Sequence, residues 1–207
     1  MTTTLEQLIG RAAIPAILTM EVQRGLVGDL AVIQPLADVV DELGMIPNIA
    51  ALLAVARRQG TPVVHCRAEF RGDRAGSFRN VPMVNRLLEN PDHVLEGSPQ
   101  AELVPELGPE DTDLDSARTH GMSPFFGTAL DPMLRSAGVS TVIATGISLN
   151  VGIPGMVIEA LNRGYHVVVP TDCVAGYPSE YGQAVLANSL ARITTLTTSK
   201  EILEIWS

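Results

Sequence analysis

The sequence has almost no lysine. Lys200 stands alone beside thirteen arginines, and the 14 basic residues face 23 acidic ones, for a formal net charge of -9. A chain this acidic repels phosphate backbones, and no Lys/Arg cluster marks a local basic groove, so nucleic acid is not expected as a partner. Cysteine is scarce as well: Cys66 and Cys173 are the only two, too few for a disulfide framework. No apolar run approaches the ~20 residues that span a bilayer. The opening stretch from Met1 to Glu6 lacks the basic and apolar regions of a secretory signal. A soluble cytoplasmic protein with no membrane partner is the expectation.

Apolar material is nonetheless plentiful. Hydrophobic residues make up 46% and mean hydropathy is +0.22, which excludes global disorder. The length suits a single domain over residues 1–207. Short apolar runs cover Pro15 to Met20, Thr61 to His65, Thr141 to Thr145, Val167 to Pro170 and Ile193 to Thr197. Helical spacing covers 33–58, 127–137, Ile153 to Arg163, 179–191 and Lys200 to Trp206. Runs that are apolar throughout predict burial on both faces, and their alternation with helices predicts βαβ units. Right-handed crossovers then put helices on both sides. The expected fold is an α/β three-layer sandwich around a mainly parallel sheet of about six strands. Residues 70–111 interrupt the rhythm with dense glycine and proline and one short helix near 81–89. Long excursions of this kind are places for function.

In open parallel sheets, ligands bind beyond the carboxyl ends of the strands. Glu21 directly follows the first run, in the string MEVQRG. A carboxylate there is costly to bury unless it is bonded or useful; the plainer alternative is a strand-end charge in solvent. After the run ending at Thr145 comes Gly146-Ile147-Ser148-Leu149-Asn150-Val151-Gly152, and Pro154 falls in the first turn of the next helix, where proline is favoured. A strand, a bend and a helix start aim backbone N–H groups into the crevice, which suits a carboxylate or a developing oxyanion. An ordinary β-to-α connection would use the same residues.

The strings ILTMEVQ, HGMSPFFGTALDPMLRSAGV, TGISLNVGIPG and GYHVVVPTD together resemble the isochorismatase-like hydrolases, over about residues 14–197. The resemblance implies a parallel sheet between helix layers. It also implies a site. The family's cysteine hydrolases use an Asp after the first strand, a Lys before the S-x-F segment and a Cys opening the helix after T-G; the Asp activates the thiol and backbone N–H groups hold the oxyanion. Here the Asp position is Glu21, the Lys position is Thr119, or Arg118 with the strand shifted by one, and the Cys position is Gly152. Isochorismatase itself resembles this state, with Gly at the corresponding place, and the resemblance then implies vinyl-ether hydrolysis by proton transfer. A glycine there also leaves room beside the helix start for a bulkier substrate or for water.

The expected catalytic set is Glu21 as acid or base, Arg118 or Thr119 beside it, His120 as a second acid or base, and Gly152. Expected substrate contacts are Gln23, Ser123, Phe125, Gly146, Ile147, Ser148, Asn150 and Val151. Cys66 and Cys173 lie at the functional edge but read as small buried hydrophobes. His65, Arg67 and Glu69 are weaker candidates. Some members of the family bind a metal through an Asp and His residues in the loop after the second strand; here that loop, EFRGDRAGSFRNVPM, has Asp73 and no His, so neither metal nor cofactor is expected. Its Arg71, Arg74 and Arg79, with Phe70 and Phe78, would grip an anionic substrate, shape a subunit contact or simply be solvated.

The function expected is hydrolysis of a small anionic or amide/ether-type metabolite by acid–base chemistry without a cysteine nucleophile. The alternative is a catalytically inactive member that binds a small molecule or partner in the retained pocket. Polar residues kept at these places favour the enzyme. The resemblance further implies a homodimer or homotetramer.

Overall fold

In the computed structural model, which describes residues 3–207, the elements run α1 (Leu5–Ile9), β1 (Pro15–Met20), α2 (Arg24–Val27), α3 (Gln34–Glu42), α4 (Met45–Gln59), β2 (Val63–Cys66), α5 (Pro82–Leu87), β3 (Leu114–Asp115), α6 (Leu130–Ser136), β4 (Thr141–Ile147), α7 (Gly152–Asn162), β5 (His166–Pro170), β6 (Val174–Ala175), α8 (Ser179–Asn188), β7 (Thr195–Thr197) and α9 (Ser199–Trp206). β1 is buried along its whole length and has a parallel partner on each side, β2 and β4. That position explains its unbroken apolar run. Every strand pair is parallel; the main path is β3-β2-β1-β4-β5-β7, and β6 pairs only with the end of β4.

Side chains alternate across the sheet and build two cores. Ile17, Val63, Ile143 and Val168 pack under α4 and α9, whose Ile49, Leu52, Leu53 and Ile202 are fully buried. Leu18, Val64, Val142 and Ala144 pack on the other face, under α6, α7 and α8. Each large aliphatic side chain removed from water here contributes about 1.5–3 kcal/mol. The result is the three-layer α/β sandwich, and it brings the ends of β1, β2 and β4 to one edge.

Several boundaries differ from the sequence reading. The helical pattern over 33–58 is two helices, α3 and α4, meeting at 61°. The break is at Gly44, which has φ 60, and the apolar period runs on because both helices face the same core. α4 stops where arginines followed by Gly60 predict, with Gly60 at φ 73 and its N–H on Ala56 O. β3 and β6 have two residues each, too short for any period to show. α1 was also invisible by periodicity; a capping box between Thr4 and Gln7 starts it. Among the described residues, no single helix is long and apolar enough to cross a membrane.

Candidate active site

A cavity of about 480 Å³ opens at the carboxyl edge of the sheet. Its floor is made by the end of β1 (Met20, Glu21), by Arg118, and by Ser148, Val151 and Gly152 between β4 and α7. Glu21 leaves the strand at φ 55, in the left-handed region that non-glycine residues rarely adopt, with its N–H on Cys66 O at 3.0 Å. That turn points its carboxylate along the floor. Arg118 is held from the other side. Its N–H donates to Arg67 O at 3.0 Å, its carbonyl accepts from Glu69 N, and Nη1 donates to Arg67 O at 3.3 Å. Nη2 then donates to Glu21 Oε1. The Arg118 side chain is 5% exposed, so this is a largely desolvated ion pair, and removing either partner strands the other charge. The one-residue ambiguity is resolved: Arg118, not Thr119, meets Glu21. Thr119 is on the cavity wall beside the backbone of Gly76.

The β4-to-α7 bend divides the expected contacts. Ser148, Val151 and Gly152 line the cavity; Gly146, Ile147 and Asn150 do not. Gly146 has φ 104, and a Cβ there would lie 2.1 Å from Met20 O, so its glycine serves strand packing. Ile147 belongs to the core under α4. Asn150 is spent on the neighbouring loop, donating to Tyr177 O at 2.8 Å and accepting from Tyr177 N at 3.2 Å. The helix start offers fewer free donors than expected. Ile153 N and Gly155 N donate to Ser148 O and Val151 O, both at 2.9 Å, and Pro154 has no N–H. Among the described residues, the Gly152 N–H has no protein acceptor.

The room expected beside Gly152 is also taken. A Cβ built there would meet Met20 Cε at 2.9 Å, Ile147 O at 3.0 Å and Met20 Sδ at 3.4 Å. The thioether of Met20 fills the space, so neither water nor substrate gains it. Gln23 is buried with its amide fully engaged: Nε2 donates to Ala68 O and Ala101 O at 2.8 and 2.9 Å, and Oε1 accepts from Ala68 N. It fixes the strand beside Arg118 and has no donor left for a substrate. Phe125 points into the core under α6 and α7, near Tyr165 and under the Arg163 guanidinium. Its neighbour Phe126 is the one on the wall.

Above the floor the walls are mostly apolar. Phe78, Val81, Met83, Val84 and Leu87 from the long excursion line the cavity together with Phe126, Ile158, Ser123 and His120, and Phe78 meets Phe126 edge-on at 6.2 Å. The His120 ring stacks on Phe78 at 4.9 Å and meets the Phe126 ring edge-on at 5.6 Å. Gly127 makes space for it, since a Cβ there would sit 2.5 Å from His120 Cε1. His93 and Glu159 also line the cavity, and neither stood out in the sequence. Glu159 is paired with Arg163 at 2.7 Å. The signal for the excursion was its length; nothing in its pattern said which side chains turn inward.

Other candidates lie elsewhere. Cys66 is fully buried and burial pushes its thiol up to about 12; burial pushes the Cys173 thiol up as well. Neither is a nucleophile at neutral pH. His65 is buried between Thr19 and Asp113. Arg67 pairs with Asp115 and Glu69. Arg71 pairs with Asp73 in solvent, and Arg74 braces the carbonyls of Asn90, Pro91 and His93; neither lines the cavity. Asp73, the acidic residue of the loop where some family members hold a metal, is therefore already engaged. No three His, Cys, Asp or Glu side chains among the described residues are placed to share an ion.

A family profile described as the isochorismatase domain matches residues 15–201. The chain belongs to the isochorismatase family. The isochorismatase family protein YwoC of Bacillus subtilis is 36% identical over 104 residues, which are 50% of this chain and 54% of that protein. The chain thus spans little more than half of that relative's length. A maleamate amidohydrolase of Pseudomonas putida is 26% identical over 163 residues, 77% of this chain and 73% of that protein. Among solved structures, an isochorismatase family protein of Desulfovibrio vulgaris has a TM-score of 0.79 at 25% identity, covering 93% of this chain and 98% of that one. The family contains hydrolases, the maleamate enzyme among them. Within it, this chain is a member whose helix α7 opens on glycine and whose carboxylate after β1 is paired with arginine.

Proposed function

We propose that the protein hydrolyses a small amide or related carboxyl derivative, with water rather than a thiol as nucleophile. The observation that carries the reading is the Glu21–Arg118 pair on the cavity floor. Glu21, turned along the floor and held by Arg118, enters as a general base. It takes a proton from water as the water oxygen attacks the substrate carbonyl. The Gly152 N–H is the donor for the oxyanion that develops. As the C–N bond breaks, the proton on Glu21 passes to the leaving nitrogen. His120, on the adjoining wall, contacts the leaving group. The amide class is supported by the maleamate relative. An uncharged substrate body is supported by the apolar walls and by Arg118 being already matched by Glu21.

The test is turnover of a panel of amides, ureas, lactones and isochorismate by the protein and by Glu21→Gln. A fall of at least about a hundredfold in the variant, a loss of ~2.7 kcal/mol of transition-state stabilisation, is expected. Unchanged activity would remove Glu21 from the centre of the reaction. A ligand that raises Tm while nothing turns over would favour the inactive, binding-only member instead. A cytoplasmic location and a homodimer or homotetramer complete the proposal. The exposed Phe78, Met83, Phe126 and Ile158 at the cavity rim support self-association, which light scattering of the purified chain would read.

A further inference from the structure

His93 is 2% exposed, yet it lines the cavity. Its Nδ1 is buried even from the cavity and has no hydrogen-bond partner; Nε2 also makes no bond among the described residues and is the nitrogen left open to a ligand. A buried polar atom without a partner is destabilising, so its persistence asks for a reason. Everything around the ring is fixed. Phe70 stacks on it at 6.0 Å, its N–H donates to Asn90 O at 3.2 Å, and Arg74 Nη1 donates to its carbonyl at 3.3 Å. The backbone at this point is also held in an unfavourable form. Val94, next in the chain, has φ 45, a rare state for a β-branched residue, and Arg74 has φ 58. The third non-glycine residue with positive φ among the described ones is Glu21. Backbone strain of this kind gathers at functional sites. Two of the three instances hold His93, and the third holds the candidate base.

Burial and the nearby Arg74 cation keep the imidazole neutral, pushing its proton affinity below the ordinary histidine range. A neutral ring offers one donor and one acceptor, which suits an uncharged polar group better than an anion. The adjoining walls, Val84, Leu87 and Val94, offer such a group nothing.

We propose that His93 is a specificity-determining residue that hydrogen-bonds a second, uncharged polar group of the substrate, a hydroxyl or carbonyl apart from the scissile bond. The assignment rests on the amide-hydrolase reading above and sharpens its substrate class: an apolar body carrying one amide and one further polar group.

The experiment measures Kd by calorimetry for straight-chain amides from butanamide to octanamide and for their ω-hydroxy counterparts. Glu21→Gln serves as the non-hydrolysing parent, and the same chain carrying His93→Phe is compared with it. Phenylalanine keeps the ring and the stack on Phe70 and removes both nitrogens; Tm checks that each variant is folded. For at least one chain length the parent should bind the hydroxy amide about fivefold to tenfold more tightly, and His93→Phe should erase that preference without weakening the plain amide. His93→Gln should restore part of it. Equal preference in both chains, or no binding of any probe, overturns the assignment. Hydrolysis of amides by the unmodified protein with no role for His93 would leave the proposed function standing. Selective binding through His93 with no hydrolysis of any amide would do the reverse.

Discussion

His65 and His93 are equally buried and oppositely furnished. Both are 2% exposed, and burial lowers the proton affinity of both. His65 has a partner for each nitrogen. Asp113 can only accept, so Nε2–H donates to it at 3.1 Å, and Nδ1 then accepts from the Thr19 hydroxyl at 2.7 Å. Asp113 is held in turn by a bidentate Arg57, at 3.0 and 2.7 Å, and by Glu110 N. His93 has no such partners and faces the cavity. Burial alone therefore does not mark a functional histidine. The number of unmet hydrogen bonds, and what they face, does.

Three measurements would break or sharpen that contrast. The largest effect is expected from His65→Ala, which leaves Thr19, Asp113 and Arg57 incompletely paired in the interior. Unfolding free energy from urea denaturation should drop by about 3 kcal/mol. A loss below about 1 kcal/mol would mean that water or repacking satisfies the network, and the contrast would weaken. The next effect is on acid stability. Both imidazoles are neutral in the fold, while in the unfolded chain they bind protons near pH 6.5. The unfolded state thus gains protons first, and stability, full above about pH 6.5, should decline as pH falls below it. Around His65 the facing charges are Asp113, Asp115 and Arg57; its bond to Asp113 opposes the shift, but burial wins. Around His93 the facing charge is Arg74. His93→Phe should therefore shallow the decline, and a slope unchanged by it would place His93 in contact with water. At lower pH, Asp113 adds to the loss. Burial raises its carboxyl but Arg57, Glu110 N and His65 together hold it below the usual range, so its contribution fades as pH falls through that depressed value. The smallest effect is on stability at neutral pH. His93→Phe should shift it by less than about 1 kcal/mol, because no bond is lost and an orphan atom is removed. A loss as large as that of His65→Ala would make His93 a structural residue.

The fold was legible where burial on both faces writes a continuous apolar run, as in β1 and β4. It was less legible where a strand is two residues long, as in β3 and β6, or where one glycine, Gly44, divides a single apolar period. Glu21 was legible because a carboxylate follows an apolar strand with nothing between. Which of Arg118 and Thr119 meets Glu21 was not, since both line the cavity and one residue of register decides which reaches the carboxylate. Gln23 and Asn150 looked like substrate contacts because they are polar and near the edge, yet backbone groups had already engaged them. His93 was missed for the converse reason. What sets it apart from His65 is the absence of hydrogen-bond partners for its ring, and a sequence does not record absences of that kind.

Met20 closes the floor of the cavity against position 152. Its methyl stands 2.9 Å from where any side chain at position 152 would begin, with the Ile147 carbonyl behind it at 3.0 Å. A lone Gly152→Cys change would have to displace that thioether before the new sulfur could find a place. Because Cε and Sδ end a flexible side chain, a change of Met20 rotamer would meet most of that demand. The thioether is thus the movable part of the floor, and the Ile147 carbonyl its fixed part.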